Sequence, residues 1–310
     1  MQINIQREQH GLLLRLFLQR ELGLSSKMIK HLKFQPNGIT VNGRQVTVRH
    51  ILSEGECLSL AIEDTESAPL ARTPLPLEIL YEDAHLVVPS KPANMPTHPS
   101  HGHHGDTVAN ALAYRYEQMG VPFVFRPINR LDRNTSGLLL IARSRPAAGK
   151  LTQAMQAGEI RKTYLAILDG EMTVPHGRID SCLHRTQKSI ILRETCPPDA
   201  PDADAALTEY RVLRVQNKHT LVEASPITGR THQLRVHFSS IGFPITGDDL
   251  YGTPSDVIDR HALHAYSLCF PHPETEEPLC VTAPPPADFL AALAAYFPDW
   301  EHSFSRKEPI

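Results

Sequence analysis

The stretch from Ile128 to Arg143 constrains this chain more tightly than any other. It follows Pro127, carries Arg130 and Asp132 among turn formers, and runs through Gly137 into the apolar residues Leu138 to Ala142. The pattern predicts a turn that opens directly into a buried strand, with a carboxylate held at the strand's mouth. A chain of 310 residues with 41% hydrophobic content can bury such a strand in one large domain, or in a large domain beside a small one.

Asp132 admits two readings. As a turn former it would bond nearby backbone together with Asn134, while Thr135, Ser136 and Gly137 close the turn. The longer pattern favours chemistry. Arg130-Leu131-Asp132, followed by Thr135-Ser136-Gly137 and a leucine-rich strand, resembles the catalytic loop of the RluA family of RNA pseudouridine synthases. The resemblance implies that Asp132 is the nucleophile that detaches uracil from its ribose, and that Arg130 supports the flipped-out nucleotide. Where the family usually has histidine before the arginine, this chain has Asn129.

Further motifs follow the family's order. Lys91-Pro92-Ala93 with Thr97-His98-Pro99 resembles its opening motif, with Pro89-Ser90 where asparagine usually precedes the lysine. Lys162-X-Tyr164-X-Ala166 lies in a predicted strand, Arg161 to Leu168, where a tyrosine is ordinarily packing material. Its likeness to the second family motif implies that Tyr164 stacks on the target base beside the aspartate, with Lys162 among the RNA contacts. Gly229-Arg230-Thr231-His232-Gln233-Leu234-Arg235 is similar to the third motif, which implies that Arg235 pairs with Asp132. Read from the residues alone, the helical spacing of Leu234 and Phe238 puts Thr231 near a helix N-terminus, where backbone N–H groups and Arg230 could bind a phosphate. Gly247 to Gly252 and Leu263-His264-Ala265 are the remaining landmarks.

The amino-terminal residues predict a separate small module. Leu12, Leu13, Leu16 and Phe17 sit at helical spacing over 11–22, ending at Gly23, and Ser25 or Ser26 can cap a second helix, Lys27 to Lys33. Asn42-Gly43 between β-prone runs is a strong hairpin signal, and Cys57 to Ile62 supplies another strand. With Arg15, Lys27, Lys30 and Arg44 as basic contacts, this order resembles the S4-type RNA-binding domain. The expected organisation is an S4-like domain at 1–63, a linker at 64–76, a catalytic domain at 77–300 and a tail at 301–310.

Composition and charge set outer limits. A formal charge of −3 excludes a general polyanion binder, so RNA must be met by local basic patches and by shape. The five cysteines are odd in number, widely spaced and lack a Cys-X-X-Cys pair, which predicts reduced thiols. No signal peptide or membrane span is evident, and a cytoplasmic location is expected. His98, His101, His103 and His104 crowd one loop near Asp106, but their spacing in a Pro- and Gly-rich segment favours a solvated or RNA-facing loop over a metal site. Asp106 is the expected cap of a helix from Thr107 to Met119.

The resemblance implies an α+β protein: a mixed, mostly antiparallel sheet with flanking helices and a central cleft. Uridine isomerisation involves no redox change or group transfer, so neither metal nor organic cofactor is expected. The expected substrate is structured RNA, large-subunit ribosomal RNA first and transfer RNA second, acted on by a monomer. A non-catalytic RNA-binding or assembly factor is the rival reading, and a metal hydrolase built on the histidine loop a distant third.

Overall fold

The computed structural model describes residues 2–22, 24, 26–61, 70–100, 102–186, 189 and 191–300, without the side chains of Arg20, Ser26, Lys27, Met28 and His31. The expected helix stop at Gly23, the Ser25 cap, residues 64–69 of the linker, the Lys27 contact, His101 and the 301–310 tail therefore lie outside the described residues.

The amino-terminal unit contains β1 (Gln2–Asn4), α1 (Leu14–Arg20), α2 (Ser26–Phe34), β2 (Ile39–Val41), β3 (Arg44–Gln45) and β4 (Cys57–Leu60). Its strands form an antiparallel sheet in the order β1-β4-β2-β3. Asn42 and Gly43, at φ 49° and 77°, make the two-residue turn that their sequence predicts, because both tolerate the left-handed region. The first helix begins at Leu14 rather than residue 11, since Leu13 is extended and bridged to Ile51. That start turns Leu14, Phe17 and Leu18 inward and leaves Leu16 exposed, a correction to the expected apolar face. With Ile5, Leu32 and Leu58 they close a core confined to this unit.

The larger unit contains β5 (Glu78–Glu82), β6 (Leu86–Lys91), α3 (Val108–Gln118), β7 (Arg126–Pro127), β8 (Ser136–Leu138), β9 (Ile141–Ala142), α4 (Arg145–Gln156), β10 (Arg161–Asp169), β11 (His176–Arg185), β12 (Arg193–Cys196), β13 (Asp204–Gln216), β14 (His219–Pro226), α5 (Gln233–Ser240), β15 (Leu263–Pro271), β16 (Pro278–Thr282) and α6 (Ala287–Tyr296). Among the described residues its strands form one sheet in the order β12-β11-β13-β14-β10-β15-β8-β6-β9-β7, with β16 on β15 and β5 on β6. Pairing is antiparallel except between β8 and β15. The architecture is the α+β class expected.

Strand alternation splits the core in two. Val87, Leu139 and Ile141 join α3, α5 and α6 on one face, while Leu86, Val88, Leu138 and Leu140 meet α4 on the other. Among the described residues no helix is long and apolar enough to cross a membrane.

Three local expectations need correction. The run Leu138 to Ala142 is not one strand but two, β8 and β9. At the break Asn129 Oδ1 accepts from the Leu140 N–H at 2.7 Å and its Nδ2 donates to the Leu138 carbonyl at 3.3 Å. α3 is capped by Thr107, which forms a reciprocal box with Asn110, whereas Asp106 takes His103 at 2.6 Å. Cys269 and Cys280 are not free thiols: the β15–β16 register sets them opposite each other, Cα atoms 4.1 Å apart, and they form a disulfide. Cys57, Cys182 and Cys196 remain thiols.

Gly137 fixes where the Asp132 stretch joins the sheet. Its φ is +110°, and a Cβ there would stand 2.2 Å from the Ala265 carbonyl oxygen on β15. Gly137→Ala must therefore strain the backbone and push β8 from β15, at a cost of about 2–4 kcal/mol in urea unfolding. An unchanged unfolding midpoint would show that the two strands separate without penalty.

Candidate active site

The turn that carries Asp132 is braced from several parts of the chain. Lys91 Nζ donates to the carbonyls of Pro92, Met95 and Arg133 at 2.8–2.9 Å. Thr97 Oγ1 donates to the Leu131 carbonyl and accepts from the Leu131 N–H. Downstream, Arg260 donates to the Asn134 carbonyl, while Thr135 and Ser136 hydroxyls bond His261 and His264. Burial and the Arg260 guanidinium push the Lys91 ammonium down to about 7, against the pull of Asp132. A lysine read as a motif letter is thus a structural knot between two loops.

The Asp132 side chain does not serve its own turn. Its backbone carbonyl accepts from the Thr135 N–H, while the carboxylate, 22% exposed, faces cations across the cleft. Arg235 Nη1 stands 3.7 Å from Oδ2, and His232 Nε2 stands 4.0 Å from Oδ1. Both separations exceed a direct hydrogen bond, so each oxygen remains open to a substrate atom.

Arg235 divides its attention differently from expectation. On α5 and 4% exposed, it donates through Nε and Nη2 to both oxygens of the fully buried Asp248, at 2.7 and 2.6 Å. The bidentate partner is therefore Asp248, and Asp132 meets the remaining nitrogen. Burial alone would raise the Asp248 pKa, but the hydrogen bonds and charge of Arg235 outweigh it and hold the carboxyl below its ordinary range. Asp248, Asp249 and His261 offer metal-ligand atoms within 4.8 Å of one another, but Arg235 already occupies both Asp248 oxygens.

Tyr164 lies on β10 beside Asp132 and is 8% exposed. Burial first, and then the Asp132 charge, raises its phenol well above the ordinary value, so the proton stays on. Lys162, two residues earlier, is buried against Gly229 rather than presented to solvent, and burial lowers its pKa. Arg130 is exposed, and its charge adds to burial in lowering the His98 pKa.

The expected phosphate site needs revision at its backbone. α5 starts at Gln233, so Thr231 lies near its N-terminus as expected, but the Gln233 side chain accepts from the Arg230 N–H and the Thr228 hydroxyl. Arg230 and Thr231 instead border a cavity of about 310 Å³, shared with His184, Arg185 and Arg193 of the β11–β12 hairpin and with Asp202 and Asp204. Arg230 is partly spent on the Ala205 carbonyl and Asp204. In the amino-terminal unit Arg15, Lys30 and Arg44 are exposed. Sequence reasoning missed His232 and Tyr251 as members of the cleft. A histidine at φ 58° is the signal, and it is visible only in the backbone.

Residues 85–240 match the family model described as RNA pseudouridylate synthase, a span that holds Lys91, Asp132, Tyr164 and Arg235. The chain is 38% identical over 269 residues to the uncharacterized RNA pseudouridine synthase YjbO of Bacillus subtilis, covering 86% of this chain and 94% of that protein. It is 34% identical to the ribosomal large subunit pseudouridine synthase D of Pseudomonas aeruginosa, covering 85% of each. The human RNA pseudouridylate synthase domain containing 1 superposes with a TM-score of 0.58 at 29% identity, covering 68% of this chain and 84% of that one. The family match over half of the chain, and relatives matched along most of their length, place this chain in the RluA family of RNA pseudouridine synthases, isomerases that act on RNA.

Proposed function

We propose that this enzyme converts specific uridines of large-subunit ribosomal RNA to pseudouridine, with Asp132 as the nucleophile. The observation that carries the assignment is the Asp132 carboxylate. It is partly open to the cleft and faced by Arg235 and His232 without being consumed by either. In the reaction it attacks the ribose C1′ and the N1–C1′ bond breaks; the freed uracil turns, C5 bonds C1′ as the Asp132 ester bond breaks and returns the carboxylate, and C5 loses its proton while N1 gains one. Tyr164, kept in its neutral form by burial first and then by the Asp132 charge, stacks on the base beside the carboxylate. A uridine in a helix is out of reach, so the nucleotide is flipped into the cleft, with Arg130 at its entrance.

The ribosomal target rests on relatives named ribosomal large subunit pseudouridine synthase D, and a cytoplasmic location follows from such a substrate. The residues 1–63 act as an S4-like RNA clamp ahead of a catalytic domain at 77–300. Arg15, Lys30 and Arg44, with Arg185, Arg193 and Arg230 at the cavity, supply phosphate contacts that position the RNA without selecting the base.

Tritium release from RNA labelled with [5-³H]uridine, prepared from cells lacking the gene, tests the activity. Release from the ribosomal fraction is expected; release from transfer RNA alone would overturn the target, and none from any fraction would overturn the function. The clamp has its own test. A variant with Arg15, Lys30 and Arg44 all changed to Ala should bind every RNA more weakly and lower the slope of log affinity against log salt by about 2–3. An unaltered slope would remove these residues from the interface.

A further inference from the structure

His232 stands in the cleft in a conformation that histidine rarely adopts. It is the residue before α5, its φ is 58° and ψ 18°, and its side chain is 11% exposed. Strained backbone of this kind persists where surrounding contacts over-determine it, and it concentrates at functional sites. Nothing in the capping of α5 requires the imidazole, since His232 makes no side-chain cap. The ring's contacts instead run across the cleft. Nδ1 is 2.8 Å from the Tyr251 hydroxyl, and Nε2 faces Asp132 Oδ1 at 4.0 Å.

The hydrogen bonds around Tyr251 decide which nitrogen carries the proton. The Tyr251 oxygen accepts from the Arg193 backbone N–H at 2.9 Å, and its one proton is then free to go to His232 Nδ1. Nδ1 becomes the acceptor and Nε2 the N–H donor. The opposite tautomer would leave the phenol proton without this partner and turn an imidazole lone pair toward a carboxylate. The Tyr251 ring is itself fixed, with the Arg235 guanidinium over it at 5.1 Å and the His232 ring against it edge-on at 5.6 Å. Burial lowers the His232 pKa against the pull of Asp132, with Arg235 and Arg193 also opposing a positive charge and Asp248 favouring one, so the ring faces Asp132 as a neutral donor.

We propose that His232 is a positioning residue that orients the Asp132 carboxylate by presenting Nε2–H to it across 4.0 Å, an electrostatic influence and not a hydrogen bond, its tautomer set by Tyr251. Tyr251 is in turn pinned by the backbone of Arg193. The arrangement links the β11–β12 hairpin, which borders the cationic cavity, to the orientation of the attacking carboxylate. The N–H dipole faces one oxygen while the Arg235 charge faces the other. The proposal rests on the nucleophilic reading of Asp132, but the tautomer can be read without turnover.

The experiment uses the full chain and variants Tyr251→Phe, His232→Ala, His232→Gln and the double variant His232→Gln/Tyr251→Phe on [5-³H]uridine-labelled ribosomal RNA. His232→Ala and Tyr251→Phe should each lower kcat about 10- to 100-fold with KM within about three-fold, the pattern of a lost transition-state interaction. His232→Gln should recover most of the rate, because an amide N–H can replace Nε2–H and has no tautomer to be set. In that background Tyr251→Phe should then cost nothing further. Equal damage from Tyr251→Phe in both backgrounds, or full activity of His232→Ala, would overturn the relay. Imidazole ¹⁵N shifts, with His232 assigned by its loss in His232→Gln, give the independent readout. Nε2–H is expected in the wild type and a tautomer mixture in Tyr251→Phe, whereas Nδ1–H in the wild type would overturn the proposal. Absence of tritium release from the wild type would sink the proposed function and leave the tautomer result to judge the relay alone.

Discussion

Asp132→Asn will abolish tritium release, by about 10⁴-fold or more, while the dissociation constant for RNA stays within about three-fold. An amide has no negative oxygen with which to form the ester, yet it keeps the shape of the carboxylate. Folding should be nearly untouched, because the side chain makes no direct hydrogen bond and its closest cationic nitrogen is 3.7 Å away. Binding is held by phosphate contacts elsewhere, so the variant should trap RNA rather than reject it. Turnover within ten-fold of wild type would remove Asp132 from the chemistry.

Arg235→Ala should have the largest effect on stability, about 3–5 kcal/mol at pH 7 by urea unfolding. The substitution leaves Asp248 buried with the Leu250 and Tyr251 backbone N–H groups but without either guanidinium bond, and a buried carboxylate without a cation is costly to keep. The pH dependence identifies the cause. Asp248 has a folded pKa below its unfolded one, so its contribution is present above the unfolded value, near 3.8, and is lost as pH falls through the folded value. In the variant that acid-side contribution is gone, so the gap between the two proteins should narrow as pH falls below about 4. A gap that stays constant with pH would mean that lost packing, not the ion pair, explains the difference.

What sequence could reveal depended on how local the deciding forces were. The Asn42-Gly43 turn and the strand β10 are set by neighbours a few residues apart, and they appear where patterning puts them. The catalytic stretch was visible as a motif, but its local form was not. Leu138 to Ala142 has the composition of one strand, yet Asn129, nine residues upstream, takes the polar groups at its middle. Side-chain partners were less legible still. Arg235 was expected on Asp132 because a motif names two residues at a time, whereas the deeper burial of Asp248 gives it the stronger claim on the guanidinium. The Cys269–Cys280 bond depends on a hairpin register that spacing alone does not fix. His232 was inside a quoted motif and still went unread, since its tautomer is decided by Tyr251 and a backbone N–H on another strand.

The bracing of the Asp132 turn also sets a timetable. The core of the amino-terminal unit draws only on residues from Ile5 to Leu60, so it can close as soon as that short segment has left the ribosome. The turn has Lys91 and Thr97 already in hand, but the Arg260 bond to the Asn134 carbonyl spans 126 residues, and the parallel β15 partner of Gly137 arrives just after it. At roughly 5–20 residues per second, the carboxylate waits on the order of 6–25 s for its frame. The amino-terminal unit of a growing chain can thus close well before the Asp132 turn has its full bracing.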